Sequence, residues 1–343
     1  MTSPRSTEAI EQRGPGRLDP GTAICIGAFD GLHLGHQALI GRAQALADRV
    51  ALVTFDPHPM RVLAPDRAPP LLQTPEQRRR VAGHLGVERV VLLPFDAGMA
   101  AMTAERFVTD VLADGLAPAA VVVGEDFRFG HGRAGNTEML TSMLDVPVEV
   151  VSPVGMPEGS RGPDDDPSRK LGSTAVRRAV AAGDVARVSA MLGRPFGAAG
   201  TVVTGDRRGR TIGFPTANVA VRNEVLPPTG VYATVLTVWS PDAPDHGAVW
   251  ASVTNLGKSP TFKDGDAPIR LETHVLDRDL GERLYDVDVE VAFVQRLRGE
   301  VKFDGVDALL EQIRRDADAA RARLDAATLA SVVAPSQPEA TGA

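Results

Sequence analysis

His33 and His36 bracket Gly35 at the end of the decapeptide Gly27-Ala28-Phe29-Asp30-Gly31-Leu32-His33-Leu34-Gly35-His36, which joins an apolar, strand-like run to a helix-like one. Glycines let the backbone approach an anion, and the N–H groups of a helix start donate to its oxygens. Imidazoles on either side of Gly35 add donors where charge develops. This combination suits a triphosphate and points to nucleotidyl transfer. The alternative is an ordinary capped loop, since glycines with an acidic residue are common, but two histidines bracketing Gly35 are harder to explain as surface decoration. His33 and His36 are therefore candidate catalytic residues, and Gly27, Phe29, Asp30 and Gly35 candidate nucleotide-binding positions.

The elements that must hold such a loop are also visible. Ala23–Gly27, Val50–Phe55, Arg89–Leu93, Ala120–Gly124 and Val148–Val151 read as short buried strands separated by intervals long enough for crossover helices. That order predicts an α/β domain with a parallel sheet, whose ligands sit at the carboxyl ends of strands. One helix is expected after His33, where Leu39, Ala43, Leu46 and Val50 recur at helical spacing. Residues 1 to about 20 are rich in Pro, Gly and charge without a period, so order is expected to begin near Gly21.

Gly155–Arg169 reads as a polar loop. After it, Ser173 or Thr174 is expected to cap a helix carrying Arg177 and Arg178, and Asp184 to start another after Gly183. A domain change is expected near Leu192–Ala199. Beyond it lie β-rich pieces around Thr201–Thr204, Val231–Val238, Ala248–Val253, Leu271–Leu276 and Val287–Val294, without comparable helical intervals. They predict a small antiparallel barrel. Asp307–Leu329 has a helical pattern, and Val332–Ala343 reads as a loose tail.

Composition bounds the function. The chain has 343 residues, enough for two domains, and 43% of them are hydrophobic. With 37 basic and 44 acidic residues the formal net charge is -7, and no long basic cluster or aromatic ladder offers a nucleic-acid surface. Cys25 is the only cysteine, which excludes an intrachain disulfide and a cysteine-built metal cluster; its apolar setting predicts a core residue. No apolar run has membrane-spanning length and the amino terminus carries no secretory signature, so a cytoplasmic enzyme acting on small molecules is expected.

A series of segments extends these readings: GAFDGLHLGH at Gly27–His36, TFDPHP at Thr54–Pro59, VGEDFRFGHGRAG at Val123–Gly135, GSTAVR at Gly172–Arg177, LGRPF at Leu192–Phe196 and GDRRGRTIGFPTAN at Gly205–Asn218. GVYAT at Gly230–Thr234, TNLGKSPTF at Thr254–Phe262, LETHVLD at Leu271–Asp277 and RLRGEVKFDG at Arg296–Gly305 continue the order. Over roughly residues 21–325 the chain resembles the bacterial bifunctional riboflavin kinase/FMN adenylyltransferase family, also called FAD synthetase. The resemblance implies a Rossmann-like nucleotidyltransferase domain over 21–190, which adenylylates FMN. It implies an antiparallel β-barrel kinase domain with a C-terminal helix over 191–330, which phosphorylates riboflavin. ATP, riboflavin and FMN are the implied substrates, and Mg²⁺ the implied cofactor. No GxGxxG fingerprint is present, which disfavours a dehydrogenase.

The resemblance also implies roles. Asp126 and Arg128 become the polar candidates of a substrate loop, in which Phe127 and Phe129 either face a ring or anchor the loop in the core. Ser173, Thr174 and Arg177 become phosphate ligands, with Thr174 and Arg177 three apart on one helical face; Gly172 replaces the family's usual first serine. In the second domain Gly205, Gly209 and Arg210 belong to a phosphate-facing loop. Thr216 and Asn218, on one strand face, approach ATP and Mg²⁺, and Glu272 is the implied catalytic base. Tyr232 is expected to shape the barrel. The flavin-lid region departs from the family's DLYG, reading DLGERLYD at Asp279–Asp286. The alternatives are a monofunctional adenylyltransferase with a structural or altered-specificity barrel, and a non-catalytic flavin-binding protein. Expected partners are the small-molecule substrates, with neither nucleic acid nor membrane, leaving room for a homo-oligomer or for transient contact with flavin-dependent apoproteins.

Overall fold

A computed structural model of the protein describes residues 8–158, 160, 170–205, 213–258, 269–278, 280 and 282–333. Gly209 and Arg210 therefore lie outside the described residues. So do 161–169 of the expected polar loop, 259–268, which include the end of the TNLGKSPTF segment, Asp279 and Gly281 of the altered lid segment, and 334–343 of the expected tail.

The first six strands are β1 (Ile10–Arg13), β2 (Thr22–Ile26), β3 (Arg49–Asp56), β4 (Arg89–Pro94), β5 (Ala120–Gly124) and β6 (Val148–Val151), and they form one sheet in the order β1-β4-β3-β2-β5-β6. All its pairings are parallel. Helix α1 (Leu34–Leu46) crosses from β2 to β3. Short α2 (Pro59–Leu63) and then α3 (Pro75–His84) lie between β3 and β4. Between β4 and β5 come α4 (Ala97–Ala101), α5 (Ala104–Arg106) and a π-helix over Phe107–Leu116. α6 (Thr137–Met143) precedes β6.

β2 is buried along its whole length because both sheet faces are covered. Ala23 and Cys25 pack with Ile40 and Ala43 of α1, whereas Ile24 and Ile26 pack with Phe107 and Leu112 of the π-helix. Cys25 is a core residue, and its burial pushes the thiol pKa up. The chain leaves β2 toward β3 on one side and returns to β5 on the other. The loops after β2 and β5 therefore flank the point where strand order reverses, the usual ligand crevice of an open α/β sheet.

Three expectations about elements are corrected. Order begins before Gly21: β1 pairs with β4, and Ala9 and Leu18 are buried. α1 ends at Leu46, and Val50 belongs to β3. The helical stretch 307–329 is two helices, α9 (Val306–Arg321) and α10 (Ala326–Val333).

α7 (Ser173–Ala182) and α8 (Val185–Leu192) connect the sheet to the second half of the chain. There β7 (Phe196–Val203), β8 (Ala217–Val221), β9 (Gly230–Val238), β10 (Val249–Lys258), β11 (Ile269–Val275) and β12 (Asp288–Arg298) close into an antiparallel barrel, β10-β11-β8-β7-β12-β9. Tyr232, Leu236 and Val238 of β9 belong to the same core as Leu271, Val291 and Phe293, while Val231, Ala233 and Val235 form another with Ala317 and Ala320 of α9. Both faces of β9 are thus buried, and closure removes exposed sheet edges. The hydroxyls of Ser252, Thr234, Thr254 and Thr273 are buried and hydrogen-bonded in a chain of links at 2.7–3.0 Å, so this polar group inside the barrel is satisfied internally.

The two halves do not meet as independent bodies. Val176, Ala179 and Val180 of α7 and Val188, Met191 and Leu192 of α8 share one hydrophobic core with Phe196, Val202 and the barrel interior. α7, which carries Ser173, Thr174 and Arg177, is consequently seated on the barrel core rather than on either core of the parallel sheet.

Candidate active sites

The phosphate-loop motif turns sharply at the carboxyl end of β2. Gly27 closes the strand, its N–H donating to Val53 O at 3.1 Å. Phe29 and Leu32 are fully buried, with φ of 47° and 44°. Gly31 has φ 87°, and a Cβ there would meet Leu72 Cδ1 at 2.8 Å, so the turn requires glycine on both grounds. His33 caps α1: its Nδ1 accepts the His36 N–H at 3.4 Å, which assigns the ring proton to Nε2. The His33 ring lies over Gly35, where an added Cβ would meet ring atoms at 3.1 Å. The two imidazoles stack with centroids 3.7 Å apart, and Phe29 supports His36 edge-on at 5.1 Å. Phe29, expected to bind nucleotide, is thus placed beneath the site as a prop.

Burial lowers the pKa of both rings, to about 4 for His33 and well below the ordinary value for His36; Arg194 adds to the first effect, and His33 and Arg78 to the second. Both are neutral near pH 7. His36 Nδ1 is buried and has no hydrogen-bond partner among the described residues. It is an open polar atom at the start of a helix, as an incoming ligand would require.

A second helix start converges on the first. A Cβ at Gly35 would lie 3.9 Å from the carbonyl of Leu171, one residue before the N-cap of α7. The cap is Gly172, not Ser173 or Thr174 as expected, and it supplies no side-chain bond. Ser173 Oγ instead donates to Asp30 O at 2.8 Å, while Thr174 is exposed. Asp30, 1% exposed, accepts the Leu72 N–H at 2.9 and 3.1 Å and Arg177 Nη2 at 2.5 Å. Arg177 Nε also donates to Pro70 O at 2.7 Å. Asp30 and Arg177 therefore lace the loop, the segment 70–72 and α7 together.

Asp126 and Arg128 follow β5, beside this crevice. Asp126 is ion-paired with Lys170, which ties its loop to the approach to α7 and holds the carboxyl below its usual range, chiefly through the Lys170 hydrogen bond. Arg128 is exposed and donates to Phe127 O at 2.9 Å. Phe129 is buried against Phe107 and Phe127, an anchoring position.

The loop's carbonyls are held from the other half of the chain, which side-chain patterns did not reveal. Arg194, 7% exposed, donates through Nη2 to Gly31 O at 2.8 Å and through Nη1 to Leu32 O at 3.3 Å and Leu192 O at 3.1 Å. Burial pulls its pKa down to about 10, offset in part by Glu290. Gln37 of α1 donates to both Leu32 O and Leu192 O, at 2.9 and 2.7 Å. Arg194→Ala should destabilise the protein by roughly 2–4 kcal/mol, since it removes the donor to Gly31 O and leaves a cavity, while Gln37 still serves Leu32 O and Leu192 O. The loss should be larger for adenylyltransfer than for barrel chemistry, because Gly31 and Leu32 precede His33. Denaturant titration together with separate assays of the two half-reactions checks this; an unchanged midpoint would show that the loop holds its turn without the arginine.

The barrel carries a second polar constellation. Glu272 on β11 is cross-strand from Asn218 on β8 and from Asn255 on β10, so the three share one face. That face is opposite the one presenting buried Leu271 and Thr273, and Glu272 is exposed on it. Thr216, two residues before Asn218, is half-buried just ahead of β8. Gly205 matters by its lack of a side chain: a Cβ there would collide with the Asn218 amide. Asn255 was not singled out from sequence, although its segment was. Tyr232 is in the core with its hydroxyl donating to Pro228 O at 2.6 Å, a structural role. Among the described residues no group of three or more His, Cys, Asp or Glu is arranged to hold a metal ion.

Comparison with known proteins matches both halves. A family model described as FAD synthetase matches residues 17–160, and one described as riboflavin kinase matches residues 192–324. A bifunctional riboflavin kinase/FMN adenylyltransferase of Escherichia coli (strain K12) is 37% identical over 311 residues, covering 88% of this chain and 92% of that protein. Its namesake in Bacillus subtilis (strain 168) is 34% identical over 301 residues, covering 86% and 90%. Among solved structures, one described as a macrolide-efflux protein from Streptococcus pneumoniae superposes with a TM-score of 0.75 at 28% identity, covering 91% of this chain and 99% of that one. No helix among the described residues is long and apolar enough to cross a membrane.

Proposed function

The chain belongs to the bifunctional riboflavin kinase/FMN adenylyltransferase family, and from that membership we propose how its two sites divide the chemistry. The protein phosphorylates riboflavin to FMN and adenylylates FMN to FAD. Residues 21–190 carry the adenylyltransfer and 191–330 the phosphorylation, a division supported by the two family matches. The core shared between α7, α8 and the barrel makes it a division of chemistry more than of folding.

The observation that carries the first assignment is the stacked, neutral His33–His36 pair where two helix starts converge. An FMN phosphate oxygen attacks the α-phosphorus of ATP, the new P–O bond forms in line, and the bond to the bridging oxygen breaks to release pyrophosphate. His33 Nε2–H and His36 donate to phosphoryl oxygens as charge builds, and the open N–H groups at the start of α7 add to them. Arg177 fixes the geometry through Asp30 and keeps its remaining donor edge for phosphate. Asp126 and Arg128 line the flavin side of the same crevice.

In the barrel, Glu272 accepts the ribityl hydroxyl proton as that oxygen attacks the γ-phosphorus of ATP and ADP departs. Thr216 and Asn218 offer neutral oxygens on the same face, a donor set that suits Mg²⁺ arriving on ATP phosphates, and Gly205 leaves their space open. Mg²⁺, when bound, neutralises phosphate charge. ATP as co-substrate of both reactions supports a cytoplasmic location.

Purified protein incubated with ATP, Mg²⁺ and riboflavin should accumulate FMN and then FAD, and with FMN should give FAD plus pyrophosphate. FAD from FMN without any FMN from riboflavin would favour the monofunctional reading; neither product would reject both sites.

A further inference from the structure

Three consecutive arginines lie on α3, and their environments differ. Arg79 reaches Glu8 at 3.3 Å, and Arg80 reaches Glu290 at 2.9 Å while stacking over Trp239 at 4.6 Å. Arg78 is 7% exposed, and among the described residues its guanidinium makes neither a hydrogen bond nor an ion pair; its Nε, like those of Arg79 and Arg80, is buried without a partner. A buried guanidinium left this way is unfavourable unless something else supplies the anion.

The candidates within the protein are already engaged. Arg78 is close enough to feel the charges of Asp30 and Asp56 and to act on the rings of His36 and His58. These four groups lie at the carboxyl end of β3 or in the turn and helix starts that follow β2 and β3, so the guanidinium is beside the crevice. Asp30 is saturated by Leu72 N–H and Arg177, Asp56 lies 3.6 Å from Arg13, and burial holds both imidazoles toward the neutral form. Facing Arg78 are therefore one committed carboxylate, one half-exposed carboxylate with its own arginine, and two rings without charge. The cation has room for one more anion.

Its position is fixed in advance. The first turn of α3 is held by the reciprocal Thr74–Gln77 capping box. Gln77 also donates to Gly197 O at 2.9 Å and accepts from Asn223 at 2.8 Å. The segment entering the helix is pinned to Asp30 through Leu72. A guanidinium in a rigid setting loses little freedom on binding and presents a planar fork that fits two oxygens of a phosphate.

We propose that Arg78 is a further phosphate-binding residue of the adenylyltransfer site, receiving a phosphate group of the bound substrate. The inference rests on the adenylyltransfer reading of the His33–His36 site. Either the ATP triphosphate or the FMN phosphate offers the chemistry, and kinetics separate them.

Arg78→Met keeps the stem and removes the charge, while Arg78→Lys keeps the charge and removes the fork. In FMN adenylylation Arg78→Met should raise the KM of one substrate by about 10- to 100-fold, the range of a charge-assisted hydrogen bond, with riboflavin phosphorylation within twofold of the parent. Arg78→Lys should recover part of the loss. A rise confined to ATP, matched by weaker pyrophosphate use in the reverse reaction, assigns the triphosphate; a rise confined to FMN assigns the monophosphate. Parental KM values in folded Arg78→Met, or equal losses in both reactions, would overturn the proposal. If Arg78→Met does not fold, Arg78→Lys decides: parental adenylyltransfer overturns the proposal, and a selective KM rise supports it. A parent protein that makes FMN but no FAD would fail the underlying reading instead.

Discussion

Glu272→Gln is expected to lower riboflavin phosphorylation by about 100- to 10,000-fold, the usual contribution of a positioned general base, and to leave FMN adenylylation within twofold. The substitution removes a proton acceptor and little else. Glu272 is exposed on the face opposite buried Leu271 and Thr273, so the barrel core does not sense the change. Its cross-strand neighbours Asn218 and Asn255 carry amides that can bond either a carboxylate or a carboxamide. Stability should therefore move by no more than about 0.5 kcal/mol. The kinetic split separates roles: a base acts on kcat, whereas a residue that only orients riboflavin acts on its KM. Parental turnover in the folded variant rejects Glu272 as base. A loss shared with adenylyltransfer makes it a structural residue.

How much could be read beforehand follows from what each element buries. β2, β3 and β5 are covered on both faces and so read as continuous apolar runs, placed to within a residue or two. β1 escaped because it is a four-residue edge strand, IEQR, with its one aliphatic side chain 58% exposed; its order comes from backbone pairing with β4. β8 was read only as the strand face assigned to Thr216 and Asn218, without bounds, because five small or polar-flanked residues after a proline carry too little periodicity. The break between α9 and α10 contains neither glycine nor proline, so a helical pattern runs through it.

The sites divide along the same line. Residue types that do chemistry draw attention: His33 and His36 stood out by type and spacing, whereas Asn218 and Glu272 were singled out through the family resemblance. Groups that act on backbone carbonyls or through burial do not. Arg194 and Gln37 serve carbonyls of Gly31, Leu32 and Leu192, partners that no side-chain pattern encodes. Arg78 is set apart from Arg79 and Arg80 by having no carboxylate partner among the described residues, a fact of three dimensions. Asp30 shows the converse: its type suggested ligand binding, yet its carboxylate is consumed in holding Leu72 and Arg177. The loop that carries His33 is thus held by elements from both halves of the chain, and a cut at residue 190 would remove Arg194 from the loop it secures.

His36→Ala should reduce FMN adenylylation by about 100- to 1,000-fold, the cost of one donor aimed at developing phosphoryl charge, and leave riboflavin phosphorylation near parental. Its effect on stability should be small for a physical reason. The ring contributes packing against His33 and Phe29, but its buried, unpartnered Nδ1 carries a penalty of about 1–3 kcal/mol that alanine removes. A large fall in melting temperature with equal loss of both activities would make His36 a core residue. His33 supplies the pH dependence. Its folded pKa of about 4 lies below the ordinary 6.5, so between these values the unfolded chain binds more protons than the folded one. Stability from this group is complete above pH 6.5 and is lost as pH falls through about 4. His33→Asn keeps an N-capping acceptor for α1 without a titrating ring. It should flatten the pH 4–6.5 slope of unfolding free energy while lowering adenylyltransfer. An unchanged slope would mean that the His33 ring is not held neutral by burial.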